Sequence, residues 1–157
     1  MSTRELRPMG RVPFLQSSSL FLDLHADEIA LLAELCQDVS FDAGEVIFRE
    51  LDQGDSLYII EDGEVEVLQE PEEPGKPPQV IATLGRGEFF GEMSMLERST
   101  RSATIRTRSR VQVLMLTTED FFSFAKIFKN GFTVVIINIA RILSQRLRQT
   151  TGRLRAQ

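Results

Sequence analysis

The spacing of apolar positions changes twice along this chain of 157 residues. From Leu20 to Leu35 apolar residues recur at helical intervals, and Asp27 is placed to cap a helix over about 28–36. From Asp38 to Leu116 the period falls to two. EVIFRE, SLYIIED, EVEVLQE, QVIATL, SATIRT and VQVLML are short runs rich in Val, Ile, Phe and Tyr, divided by glycine-bearing turns. Runs of that length and spacing predict a β-sandwich or barrel over about 38–116. Asp62-Gly63, between LYIIE and EVEVL, marks a tight hairpin, because glycine takes the positive φ that such a turn requires. EPEEPGKPP, Glu70 to Pro78, is proline, glycine and charge, and predicts an exposed connection. Residues 1–17 are polar, proline-bearing and aperiodic, and predict a flexible arm ahead of one domain over 18–157.

After Leu116 the helical period returns. Thr117 or Thr118 can cap a helix through Phe121, Phe122 and Phe124 to about Lys129, and Asn130-Gly131 should break it. A longer helix then starts near Phe132, so the C-terminal helices cover about 118–155. Its residues Ile136, Ala140, Leu143, Leu147, Thr150 and Leu154 follow a 4-3-4-3-4 spacing, the seam of a coiled coil. At 1.5 Å per residue this seam runs roughly 27 Å. Val135, Ile139 and Ile142 form a second apolar face, expected to pack on the barrel. Two faces predict two partners, the barrel and a second copy of the chain, hence a homodimer. The plainer alternative is a helix buried within its own domain.

Composition narrows the function classes. Apolar residues make up 42% and charged residues 26%, an ordinary globular balance for one domain. Aliphatic runs such as Val134 to Ile137 are only a few residues long, which predicts no membrane span. The N-terminus lacks the apolar segment of a signal peptide, and the single cysteine, Cys36, forms no internal disulfide. Together these predict a cytoplasmic protein. The net charge of −5 hides an asymmetry: Asp42 to Glu97 holds 15 acidic and 3 basic residues, and Arg98 to Gln157 holds 12 basic residues against Glu119 and Asp120. A basic half invites a nucleic-acid reading. The arginines at 141, 146, 148, 153 and 155, however, lie on several sides of one helix, unlike a groove-reading face. His25 is the only histidine and precedes the barrel, which leaves no cluster of imidazoles for a metal enzyme.

One segment carries chemistry. Phe90 to Ile105 reads FGEMSMLERSTRSATI, preceded by Gly85 and Gly87. A phosphodiester has one permanent negative charge and two free oxygens, and a guanidinium meets both while staying charged. Backbone N–H groups at a short helix add donors, a carboxylate accepts from a ribose hydroxyl, and glycine lets the backbone come close. Glu92, Gly91 and Arg101 supply these parts. Taken singly, each has a bland alternative, and for Arg101 that alternative is a surface or salt-bridged side chain.

As a whole the segment resembles the phosphate-binding cassette of the cyclic-nucleotide-binding domain family. That family includes regulatory subunits of cAMP-dependent protein kinase, cyclic-nucleotide-gated channels and bacterial cAMP receptor proteins. Phe90-Gly91-Glu92 and Arg101-Ser102-Ala103-Thr104-Ile105 match its pattern at the usual spacing. FDAGEVIFRE and GDSLYIIEDGEVEVL look like its early strands, and NIARILSQRLRQ like the long last helix of the bacterial branch. The resemblance implies a mainly β fold, an eight-stranded jelly-roll (double-stranded β-helix) barrel with flanking helices and a long C-terminal helix. It implies a sensor for cAMP or cGMP that is not an enzyme and needs no other cofactor. Such a sensor signals through its last helix to a partner protein, and the alternative is a nucleotide-free interaction module.

By the same resemblance Arg101 pairs with the phosphate and Glu92 holds the ribose 2′ hydroxyl, with Gly91 admitting the sugar. Ser102 and Ala103 donate to phosphate oxygens, and Met93 and Ser94 start the cassette helix. Val67, Ile81 and Leu84 line the apolar pocket. The last helix covers the base between Ser144 and Thr150, with Arg146 or Thr150 as its polar contact. The family's transcription factors continue into a winged helix-turn-helix, and no DNA-binding domain is expected in this chain.

Overall fold

The structure, a computed structural model, describes residues 10–97 and 99–156, the last seven of these by their backbone alone. Eight strands form: β1 (Gln37–Phe41), β2 (Val46–Phe48), β3 (Ser56–Asp62), β4 (Val65–Gln69), β5 (Gln79–Leu84), β6 (Phe89–Phe90), β7 (Thr104–Thr107) and β8 (Val111–Thr117); the six period-two runs supply all but β1 and β6. The eight make two antiparallel four-stranded sheets in the orders β1-β8-β3-β6 and β2-β7-β4-β5, the expected jelly roll. Gly63 turns the β3–β4 hairpin at φ +91°. Ile60, Val65, Leu84, Phe90, Ile105, Val111 and Val113 form a core of buried residues. Leu57, Ile59, Leu114 and Leu116 belong to a second and larger core, shared with the helices. Successive side chains of a strand point to opposite faces, so β3 and β8 supply both cores.

Five α-helices accompany the barrel: α1 (Arg11–Gln16), α2 (Ala26–Leu35), α3 (Met93–Leu96), α4 (Thr118–Ile127) and α5 (Lys129–Ala156), with a 3-10 turn at Ser19–Phe21. Helix α1 corrects the expected arm over residues 1–17, whose first nine residues lie outside the described ones. Pro13 stands in its first turn, where a missing N–H costs nothing. Phe14 and Leu15 are buried. Arg11 fixes the helix by donating to the carbonyls of Ala33 (2.6 Å) and Cys36 (2.9 Å) and pairing with Asp38 (2.6 Å). Helix α2 starts two residues earlier than expected. Glu28 reaches back to accept from the His25 N–H at 2.8 Å, which makes His25 the cap and puts Asp27 in the first turn. Thr117 caps α4 as expected, accepting from the Asp120 N–H at 3.1 Å.

Asn130-Gly131 does not break the chain between helices. It lies in the first turn of α5, where a Cβ on Gly131 would stand 2.9 Å from the Glu28 carboxyl carbon and 3.0 Å from the Phe124 ring. Val135 and Ile139 are buried, and between them Asn138 donates to the carbonyls of Leu20 (3.0 Å) and Leu22 (2.9 Å). This anchor sets the rotation of α5. Ile136, Ile142 and Leu143 then pack half-buried on the helical core, and Ile137, Ala140 and Leu147 face solvent. The expected seam is therefore not one exposed stripe: Ile136 and Leu143 serve their own domain. Leu154 lies beyond the described side chains. Among the described residues no helix is long and apolar enough to cross a membrane.

Candidate functional site

Arg101 is held from both sides of its backbone. Its N–H donates to the Asp52 carbonyl at 2.7 Å, and its carbonyl accepts from the Leu51 N–H at 2.8 Å. The turn providing these contacts carries Leu51 at φ +75°, a left-handed conformation that a branched side chain adopts at a cost of about 1 kcal/mol or more. From this clamp the side chain runs inward until only 6% of the residue is exposed. One terminal nitrogen, Nη1, donates to Ser94 Oγ (2.9 Å), the Ser56 carbonyl (3.0 Å) and the Gly91 carbonyl (3.3 Å). Phe48 lays its ring 4.1 Å from the guanidinium, and Tyr58 stands at 5.9 Å, stacked on Phe90.

Two glycines make room for this group. At Gly91, with φ +82°, a Cβ would lie 2.8 Å from Arg101 Nη1. At Gly54 it would lie 2.7 Å from Nε and also strike Ser94 Oγ. Among the described residues no carboxylate comes within 4.0 Å of Arg101, and its Nε has no hydrogen-bond partner. Burial pushes its pKa down, while the more distant Tyr58, Asp55, Glu92 and Asp52 push it back up. A guanidinium nonetheless stays protonated in proteins. The result is a buried positive charge facing a cavity, with no acidic side chain in contact with it among the described residues.

That cavity holds about 500 Å³ of empty space, counting the solvent at its open mouth. Its wall brings together Val67, Leu84, Gly91, Glu92, Met93, Ser94, Arg101, Ser102, Ala103 and Arg146. Ile81, also expected there, is absent from it. β4 and β5 pair Val67 with Ala82 and Leu68 with Val80, so Ile81 is the extra residue of a β-bulge on an edge strand. It points outward, 48% exposed. Thr150 lies beyond the described side chains. Phe90 and Ile105, the two ends of the matched segment, line the cavity as well, and Phe48 lines it without having been singled out, while Gly54 backs it. The only sequence signal for Gly54 was its place before DSLYII, and for Phe48 there was none beyond period two.

Glu92 sits where β6 hands over to α3 and is 8% exposed. Burial raises its pKa above the ordinary carboxylate value, opposed by a hydrogen bond from its own backbone and by the charges of Arg146 and Arg101. Arg146 arrives from α5. Its Nη1 is 3.6 Å from Glu92 Oε1, its Nη2 donates to the Phe89 carbonyl at 3.4 Å, and its guanidinium lies 4.9 Å from the Phe89 ring. The cavity wall thus carries a buried cation, a carboxylate and a second guanidinium among apolar side chains.

The family model of the cyclic nucleotide-binding domain matches residues 38–127, more than half of the chain. The chain belongs to that family. A putative potassium channel protein of Rhodopseudomonas palustris is 38% identical over 112 residues, 71% of this chain and 25% of that one. The cyclic AMP receptor protein of Thermus thermophilus is 31% identical over 135 residues, 86% of this chain and 60% of that one. The chain therefore spans only part of these relatives, about a quarter of the first. A crystal structure of a cyclic nucleotide-binding domain from Methylobacillus flagellatus superposes with a TM-score of 0.78 at 26% identity, covering 91% of this chain and 79% of that one.

The raised pKa of Glu92 has a consequence for stability. A carboxyl whose folded pKa lies above its unfolded one contributes stability that is fully present below the unfolded value and lost as pH rises through the folded value. Glu92→Gln should keep that contribution at neutral pH. Urea unfolding of the ligand-free proteins is expected to show the variant more stable at pH 7, with the gap closing toward acid pH. A variant less stable at pH 7 would mean that pairing with Arg146 outweighs burial.

Proposed function

We propose that this chain is a sensor that binds cAMP or cGMP in the cavity beside Arg101. The observation that carries the reading is the buried Arg101 guanidinium, which has no carboxylate within 4.0 Å among the described residues and is aimed at the cavity. Burying a charge is expensive unless a counter-charge joins it, and a cyclic phosphate brings one negative charge and two oxygens to the guanidinium. In this reading Glu92 accepts from the ribose 2′ hydroxyl, and Gly91 lets the sugar approach. Ser102 and Ala103 add donors to the phosphate, and Val67 and Leu84 face the base. The site binds its ligand and releases it unchanged, without a further cofactor.

The output runs through α5. Arg146 ties this helix to Glu92, so a ligand that takes Glu92 changes what holds α5 over the cavity. Ligand shifts the position of α5 by no more than its differential affinity for the two states allows, and a partner protein reads the result. The chain also pairs with a second copy along α5. Ala140 and Leu147 of the expected seam are exposed, and Ile137 replaces Ile136 and Leu143, which are occupied at home. Ile137, Ala140, Ser144 and Leu147 keep a 3-4-3 spacing. Sedimentation velocity should find a dimer that Leu147→Glu drives to monomer. A monomeric wild type would overturn the pairing.

One observation favours a second reading, a nucleotide-free interaction module: Arg146 already gives Glu92 a charged neighbour. It gives Arg101 none. Calorimetry with cAMP and cGMP decides between them. Wild type should bind at least one, and Arg101→Ala should weaken it by about 2–5 kcal/mol, the cost of leaving a desolvated phosphate unpaired. No binding to wild type would leave the module reading standing, and unchanged affinity in the variant would remove Arg101 from the site.

A further inference from the structure

Phe48 reaches the cavity because β2 is irregular. Val46 pairs with Arg106 and Phe48 with Ile105, so Ile47 is the extra residue of a bulge. Opposite residues of an antiparallel pair share one face of the sheet. In an unbroken register Phe48 would stand opposite Thr104; the bulge sets it opposite Ile105 instead. Ile105 also pairs with Val67, and all three side chains line the cavity. Tyr58 and Phe90, stacked on each other at 5.0 Å, flank the Phe48 ring at 6.0 and 5.9 Å between centroids. The guanidinium carbon of Arg101 lies over that ring, 4.1 Å from its centroid.

A guanidinium is planar and donates within its plane, from its edges. The Ser56 and Gly91 carbonyls and the Ser94 hydroxyl all accept from Nη1, which pins one corner of that plane. Nε has no hydrogen-bond partner, and among the described residues no carboxylate comes within 4.0 Å to set the tilt of the plane. The Phe48 ring can set it, because a π face attracts the cation without taking up a donor. We propose that Phe48 is a positioning residue: its ring fixes the plane of the Arg101 guanidinium, so that an edge of that group, and not its face, meets the phosphate of a cyclic nucleotide. The proposal rests on the reading of the cavity given above and goes beyond it in naming what orients the phosphate-binding group.

The test is calorimetry of the whole chain with cAMP and cGMP, and then with the two cyclic phosphorothioates of the tighter ligand, in which sulfur replaces one or the other exocyclic oxygen. In a site with fixed donors the two oxygens are not equivalent, so wild type should prefer one diastereomer. Phe48→Leu should weaken the natural ligand by about tenfold and bring the ratio of the two diastereomers toward one. Phe48→Met, also without a π face, measures the same loss a second time should Phe48→Leu fail to fold. Phe48→Tyr keeps the ring and should keep both the affinity and the ratio. Leucine and methionine variants that bind like wild type would overturn the proposal. So would weakened binding with the ratio intact, which would make Phe48 an apolar wall and nothing more, or a wild type that binds both diastereomers alike. Wild type that binds no cyclic nucleotide defeats the underlying reading of the cavity. Wild type that binds, with the variants indifferent, defeats only the role of Phe48.

Discussion

A single buried positive charge organises this molecule. The Arg101 guanidinium is carried into the barrel, where low polarity disfavours it, and among the described residues no carboxylate comes within 4.0 Å of it. The fold holds it there by backbone and aromatic contacts. The Ser56 and Gly91 carbonyls and the Ser94 hydroxyl accept from one terminal nitrogen, and Phe48 covers the face. Gly54 and Gly91 remove the side chains that would stand in its place. The Leu51 turn accepts backbone strain to hold Arg101 at both its N–H and its carbonyl. A protein that needed only a stable core would fill this position with an apolar residue, since isolated buried charge costs stability. The arrangement makes physical sense when an anion completes it.

The second organising contact is the anchoring of α5. Asn138 caps two carbonyls of the 3-10 segment, and this fixes which residues of the helix reach the barrel and which reach solvent. Two turns further on, the same rotation brings Arg146 to Glu92. Helix α5 is thus tied to the N-terminal helices at one point and to the cavity at another. The first tie is a neutral, buried hydrogen-bond pair. The second is a long ion pair with a partly buried carboxylate. Of the two, the second is the one that a polar ligand in the cavity competes with.

Much of this was legible in the residue pattern. Six short apolar runs between glycine turns became six of the eight strands, and the FGE and RSATI ends of the cassette converged on one cavity because α3 and the turn after it fold the chain back. Where the pattern misled, the cause was tertiary. Residues 11–16 looked aperiodic because six residues are too few to show a helical period, yet Phe14 and Leu15 bury fully. Ile81 sits in an apolar run on an edge strand that is exposed on both faces up to Leu84, which no local pattern announces. The seam on α5 was drawn from spacing alone, and Asn138, which the spacing passes over, sets the rotation. Gly54 was invisible as a site residue because its contribution is the absence of a side chain.

The account stands on the claim that Arg101 awaits a phosphate. The most direct measurement is the thermal unfolding midpoint of the ligand-free wild type against added ligand. One series uses a 3′,5′-cyclic nucleotide, and the other uses the matching nucleoside, which has the same base and sugar without the phosphate. Selective binding to the folded state raises stability with the logarithm of ligand concentration. The account predicts a rising midpoint with the cyclic nucleotide and none with the nucleoside. Equal shifts with both, or no shift with either cAMP or cGMP, would contradict it.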